Sequence, residues 1–249
     1  MTIDVFFSPA VVDEASVEGR TAVVIDVIRA TSTLLEALAN GAKAIFPTIS
    51  TEDAVKLASS LGREDTILCG ERKGLKVEGF DLGNSPAEFT SDVVVGKQLV
   101  MSTTNGTRAF VAAEGADRVL AASYMNLSSV AGALKGVQRL VIICSGRENR
   151  FSLDDALCAG MLIQRIEEGR EEEDGEGDTV FNDAGRVAAD LADKYMVDAA
   201  FLGSTAAGKA LIEAGLDGDL ELCAELDRHT LVPEMRDRTI TVSQLNQGD

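Results

Sequence analysis

Apolar runs of strand length alternate with segments of helical period along most of the chain. Residues 22–28 (AVVIDVI) read as a strand, followed by a helix over 31–39 that stops at Asn40-Gly41, a pair suited to a helix C-cap. A strand over 43–48 leads to a helix over 51–61, opened by Thr51 with Glu52 and Asp53 in its first turn, and then to the strand TILC (66–69). From residue 98 the order repeats as strand QLVMS, helix 107–114, strand 118–122, helix 126–135 and strand RLVIIC (139–144). A helix is expected from Ser152-Leu153-Asp154 to about Glu168. Helical segments near 183–195, 204–214 and 217–227 and a last strand at 238–242 complete the pattern.

The repetition extends to residues. A shift of about 75 positions sets ILCGER (67–72) over IICSGR (142–147), so that Cys69 meets Cys144 and Arg72 meets Arg147. The expectation is a single α/β domain over 1–249, a three-layer α/β/α architecture with an internally duplicated β-α-β-α-β unit. Its halves would span about 20–97 and 98–166, followed by a helical C-terminal part over 179–249. In such a sheet, ligands sit at the carboxyl ends of strands. The stretch 167–178, with eight acids, one Arg and three Gly, reads as a solvated, mobile surface loop.

Composition narrows the function. At 249 residues and 45% hydrophobic the chain can bury a large core, which is aliphatic because aromatics are 4% and Trp is absent. A formal charge of −18 repels nucleic acid and anionic bilayers, so neither is an expected partner. Only eight basic residues are Lys against fifteen Arg, a balance that suits a carboxylate-rich surface working in high salt. The start MTIDVFFSPA lacks a basic leader, and no window gives eighteen uninterrupted apolar residues, so a soluble cytoplasmic protein is expected. His229 is the only histidine, which removes a His-rich zinc site; any metal is held by oxygen, favouring Mg²⁺. A homodimer through a helix face is the expected assembly.

Four loops after strands carry chemistry. The first, Asp26 to Thr33, places a carboxylate at a strand end beside Arg29 and the hydroxyls of Thr31 and Ser32. In the second, Cys69 to Pro86, Glu71 and Asp81 offer oxygen ligands, Arg72 a planar fork for an anion, and Asn84 and Ser85 a polar turn into a helix start. The third, Ser102-Thr103-Thr104-Asn105-Gly106-Thr107-Arg108, is small enough for its backbone amides to wrap a phosphate, although it is not a Walker A loop. The fourth, Ser145-Gly146-Arg147 to Asp155, adds a second Arg fork and two adjacent acids that favour a helix dipole.

A haloacid-dehalogenase nucleophile needs D-x-D-x-T, and Ile28 stands where its second Asp belongs. The spacing C-x5-R of a cysteine phosphatase is met by Cys144 and Arg150, so that scheme stays as an alternative. A non-catalytic protein that binds a phosphorylated acid is the other; it would need Arg72 and the STTNG loop but not the three acids.

Taken in order, VVIDVIRATSTLLEALANGA, GERKGLKVEGFDLGNSP, STTNGTRA, ICSGRENRFSLDDALCAG and GSTAAGKALIEAGLDGDLELCAELDRHTLVP resemble the 2-phosphosulfolactate phosphatase family over nearly the whole chain. The resemblance implies a Mg²⁺-dependent hydrolase that removes phosphate from 2-phospho-3-sulfolactate, a step toward coenzyme M. The segment 167–178 looks like an insertion, and SGRENR carries more positive charge than the family pattern there. The expected partner is thus a small anionic phosphorylated substrate. In the expected site, Asp26, Glu71 and Asp81 ligate the metal, with Asp26 alternatively the nucleophile. Arg29, Arg72 and Arg147 clamp anionic groups. Thr31, Asn84, Ser85, Thr103, Thr104, Asn105, Gly106, Ser145 and Gly146 line the phosphate cradle.

Overall fold

The computed structural model describes residues 1–172 and 178–242. Eleven strands form one sheet: β1 (Thr2–Phe6), β2 (Thr21–Ile25), β3 (Ala44–Pro47), β4 (Thr66–Arg72), β5 (Leu75–Lys76), β6 (Gln98–Ser102), β7 (Arg118–Ala122), β8 (Arg139–Cys144), β9 (Val180–Phe181), β10 (Pro233–Arg236) and β11 (Thr239–Val242). The helices are α1 (Glu14–Val17), α2 (Ala30–Ala39), α3 (Thr51–Leu61), α4 (Ser91–Val94), α5 (Gly106–Ala112), α6 (Leu127–Ala133), α7 (Leu153–Glu172), α8 (Asp183–Lys194), α9 (Ala199–Ser204), α10 (Ala206–Glu213) and α11 (Asp219–Cys223). The chain is thus a mixed α/β protein with a central sheet flanked by helices.

The strand order is β5-β4-β6-β3-β11-β10-β7-β2-β8-β1-β9. The first strand of each half read from the sequence lies between the second and third strands of the other: β6 between β4 and β3, and β2 between β7 and β8. Both trios are parallel, and the antiparallel hairpin β10–β11 joins them through β7 and β3. The two halves therefore interlock in one sheet instead of forming separate sheets. The last strand is half of this hairpin, and α7 continues to Glu172, past the end expected near Glu168. The expected mobile loop 167–178 falls partly on α7 and partly, over 173–177, outside the described residues.

Central parallel strands covered on both faces must be apolar throughout. In β2 and β8 every residue after the first is buried. One face, with Val23, Ile25, Leu140 and Ile142, packs against α6, α7 and α8. The other, with Val24 and Ile143, joins Leu34 and Leu35 of α2 and Phe110 of α5 in a cluster that also takes Ile45, Leu99 and Met101 from the opposite trio and Met235 and Ile240 from the hairpin. Strands β4 and β6 stand toward one end of the strand order and β2 and β8 toward the other, yet the loops that follow all four line one cleft.

The close contact of α7 with α8 depends on Gly160, because a Cβ there would lie 1.9 Å from the Ala188 carbonyl oxygen. Overpacking costs about 1–3 kcal/mol and more where backbone must move, against about 1 kcal/mol recovered from helix propensity. Gly160→Ala is therefore expected to lower the urea midpoint of unfolding without changing the denaturant slope.

Candidate active site

The loops that follow β2, β4, β6 and β8 line one cleft, closed on a further side by α10. Its wall holds five carboxylates, Asp26, Glu71, Asp154 and Asp155 with the exposed Glu148, and three cations, Arg29, Lys73 and Arg147. Thr103, Thr104, Asn105, Asn84, Ser152 and the backbone of Gly74 and Gly146 add to the polar lining, while Ile28, Ala207, Ala210 and Leu211 give it an apolar side.

Asp26 is held by the turn between β2 and α2. Its amide donates to Thr31 Oγ1 at 3.0 Å, its carbonyl accepts from the Thr31 amide at 2.9 Å, and its Oδ1 accepts from the Ala30 amide at 3.2 Å. Thr31 thus fixes the turn from behind the wall. Glu71 joins two loops: Oε1 accepts from the Thr104 amide and Oε2 from the Gly74 amide, each at 2.7 Å. Asp155 joins three segments, accepting from the Val27 amide at 2.8 Å and from Ser145 Oγ and the Gly146 amide at 3.0 Å each. Asp154 accepts from Ser152 Oγ at 2.5 Å, and Asp154 and Asp155 form the first turn of α7.

Burial dominates the electrostatics. It pushes the Asp26 carboxyl up to about 7, with the charges of Glu71 and Asp154 adding to the shift against the Ala30 amide. Burial also raises Asp154, and it raises Asp155 well above the usual carboxylate range, there reinforced by Asp154 and Asp26. Three carboxyls are therefore held where full ionisation is unfavourable without a cation.

Several residues expected in the site are employed elsewhere. Asp81 does not join Asp26 and Glu71; its two oxygens accept from Arg63 Nη2, at 2.7 and 2.8 Å, and Oδ2 also from the Leu68 amide, so Arg63 and that amide draw its carboxyl down despite burial. The Arg72 fork is turned to the carbonyls of Glu71, Ser102 and Ile49 and to Ser102 Oγ, where it ties β4 to β6. Ser85 Oγ donates to Asp219, and Ser145 stands behind the lining on Asp155. Gly106 lies beneath Asp26, where a Cβ would come within 2.7 Å of Oδ2. The amides of Thr103 and Thr104 are already bonded to Thr107 Oγ1 and Glu71, so these two members of the expected phosphate-wrapping backbone are taken up within the protein. Arg29 is buried on Asp219, and Arg147 donates to the Ala206 carbonyl at 3.1 Å.

Asp154 and Asp155 were legible as adjacent acids of a candidate site loop, with the helix dipole as the plainer reading, but neither they nor Lys73 carried an assigned role. The signal that marks them is position, two adjacent acids entering a buried helix beside a strand end. The sulfur scheme fails on geometry: Cys144 is fully buried, burial lifts its thiol far up, and Arg150 is exposed and outside the cleft lining.

The lining suits a hard cation in its donor chemistry. Asn84 Oδ1 and Thr104 Oγ1 are buried oxygens without a hydrogen-bond partner among the described residues, and these side chains line the same cleft as the raised carboxyls of Asp26 and Asp154. Among the described residues no three His, Cys, Asp or Glu side chains converge as a ready cage. An ion there would rest on one or two carboxylates with neutral oxygens and water, which is the usual manner of Mg²⁺.

Residues 6–238 match the family described as 2-phosphosulpholactate phosphatase. Relatives named probable 2-phosphosulfolactate phosphatase include one from Clostridium perfringens, 38% identical over 96% of each chain. Another, from Clostridium acetobutylicum, is 39% identical over 94% of this chain and 97% of its own. A third, from Thermotoga maritima, is 35% identical over 94% and 95%. With the match running through all four site loops, the chain belongs to the 2-phosphosulpholactate phosphatase family, whose members are phosphoric monoester hydrolases.

Proposed function

We propose that the protein is a Mg²⁺-dependent phosphatase that cleaves 2-phospho-3-sulfolactate, or a related small phosphorylated hydroxy acid, to 3-sulfolactate and phosphate. The observation that carries the reading is the meeting of buried Asp26, Asp154 and Asp155 with Arg147 and Lys73 in one cleft. The names of the relatives support the substrate. Asp26 and Asp154, with Asn84 Oδ1 and Thr104 Oγ1, would hold the ion. When bound, Mg²⁺ would supply Lewis-acid polarisation of the phosphoryl oxygens.

The chain's own groups do the rest. Arg147 and Lys73 balance the phosphate and the second acid of the substrate, and Lys73 has no ion-pair partner among the described residues. Ile28, Ala207 and Leu211 exclude water from one side. In the metal-free chain the Asp26 carboxyl keeps its proton to near neutrality, so loading the ion at neutral pH would release that proton and leave Asp26 as an ionised ligand.

The test is phosphate release from a panel of phosphorylated hydroxy acids, with Mg²⁺ or EDTA, in dilute and in molar KCl. The reading expects turnover that needs Mg²⁺; the acidic composition adds the expectation of higher activity and stability in molar KCl. Binding without release would favour a sensor. Cys144→Ser is expected to keep turnover within about threefold, since a thiol held protonated by burial offers no nucleophile. Loss of activity in that variant, with release surviving EDTA, would restore the sulfur scheme.

A further inference from the structure

We propose that Asp219, in α11 of the C-terminal part, is a positioning residue that sets the Lys73–Gly74 hairpin tip over the cleft by way of Arg29. The proposal rests on the phosphatase reading for the role of Lys73, and on geometry alone for the role of Asp219.

The tip has little packing of its own. Strand β5 is two residues at the sheet edge, both exposed, and pairs antiparallel with β4 so that Arg72 faces Leu75. Lys73 and Gly74 between them have φ of 54° and 83°, the signature of a two-residue type I′ turn. Two contacts hold this turn to the site wall. The Gly74 amide donates to Glu71 Oε2 at 2.7 Å, and Arg29 Nη2 donates to the Gly74 carbonyl at 2.8 Å.

Arg29 is in turn fixed by Asp219. Its Nη1 lies 2.7 Å from Asp219 Oδ2, and both side chains are almost fully buried, at 3% and 6% exposure. The second Asp219 oxygen accepts from Ser85 Oγ at 2.6 Å. Asp219 is absent from the cleft lining, so it reaches the hairpin tip through the guanidinium, while Ser85 ties it to the turn that carries Asn84. Its charge also cancels that of Arg29 inside the wall. Arg29 thereby contributes orientation, while Lys73 contributes the positive charge that meets an anionic substrate. Without Asp219, a buried guanidinium that shares a cleft with the carboxylates of Asp26 and Glu71 is drawn more strongly to those charges than to a neutral carbonyl, and it would leave Gly74.

Kinetics and hydrogen exchange on the full-length protein test this. Asp219→Asn and Lys73→Ala are each expected to raise KM about tenfold with kcat within about threefold, and the double variant to be no worse than either single one. Asp219→Glu is expected to recover part of the loss. Amide exchange over residues 72–76 should rise in Asp219→Asn while β6 stays protected. Should Asp219→Asn fold poorly, Ser85→Ala loosens the same carboxylate and is expected to move the tip exchange in the same direction. Multiplying KM effects in the double variant, or unchanged exchange at the tip, would overturn the proposal. If the wild-type protein released no phosphate, the phosphatase reading would fall by itself, and tip exchange would still decide the role of Asp219.

Discussion

Asp26→Asn is expected to abolish most turnover, by about 10²–10⁴-fold, and at the same time to stabilise the metal-free protein at pH 8. The two effects share one cause. Burial raises the Asp26 carboxyl from the ordinary value of 3.8 to about 7, and Glu71 and Asp154 add to it. Between those values the folded chain keeps a proton that the unfolded chain has released, so stability falls as pH rises through this interval. Above about 7 the burial penalty is complete and is on the order of a few kcal/mol. Asn keeps the shape without the titration. Thermal unfolding in EDTA should show variant and wild type together near pH 4 and the variant several degrees higher at pH 8. Mg²⁺ should close the gap at pH 8 by raising the wild type alone. A variant less stable than wild type at pH 8 without metal would mean that the carboxylate is satisfied by the protein itself.

The fold was legible where the pattern was strong and local. Strands β2, β6, β7 and β8 and helix α3 stand at or near their expected places because each is an uninterrupted apolar run or a capped amphipathic stretch. Strand β10 was not visible, since PEMR reads as polar. Its Glu234 is buried where Arg118 of the neighbouring β7 meets it at 3.1 Å, with Arg236 of the same strand at 2.6 Å. Hairpin β4–β5 was hidden for the opposite reason: two exposed residues give no periodicity. The interlocking of the strand trios is a property of long-range pairing, which residue spacing does not encode.

In the site, position after a strand was a sound guide for Asp26, Arg29, Glu71, Asn84, Thr103, Thr104, Asn105, Gly146 and Arg147, all of which line the cleft. Chemistry alone was a poor guide to what each side chain faces. Arg72 and Arg147 occupy matching positions in ILCGER and IICSGR, yet Arg72 meets the carbonyl and hydroxyl of Ser102, whereas Arg147 borders the open cleft. Asp81 finds Arg63, eighteen residues upstream, once the chain folds back along β4. Both misassignments have the same physical origin, a partner supplied by a neighbouring segment.

Asp155→Ala is expected to behave as the reverse of Asp26→Asn, losing stability as well as activity. Asp155 takes no part in the proposed cation site because its oxygens are occupied: the Val27 and Gly146 amides and the Ser145 hydroxyl converge on them. These donors fix the turn after β2 that carries Asp26 and the loop after β8 that carries Arg147. The hydroxyl can rotate to another acceptor, as Ser145 Oγ already lies 3.3 Å from the Gly146 carbonyl, but the two buried amides cannot. Each orphaned amide costs about 1–3 kcal/mol, and a domain has only about 5–15 kcal/mol in all. Removing Asp155 also relieves its repulsion with Asp154 and Asp26, which grows as those carboxyls ionise. The destabilisation should therefore be largest near pH 5 and smaller at pH 8, the same drift with pH as in Asp26→Asn but offset throughout by the cost of the orphaned amides. Urea unfolding of the metal-free protein at both pH values separates the two roles. Wild-type stability of Asp155→Ala at pH 5 would show that the amides find other acceptors and that Asp155 is held in the wall for the cation after all.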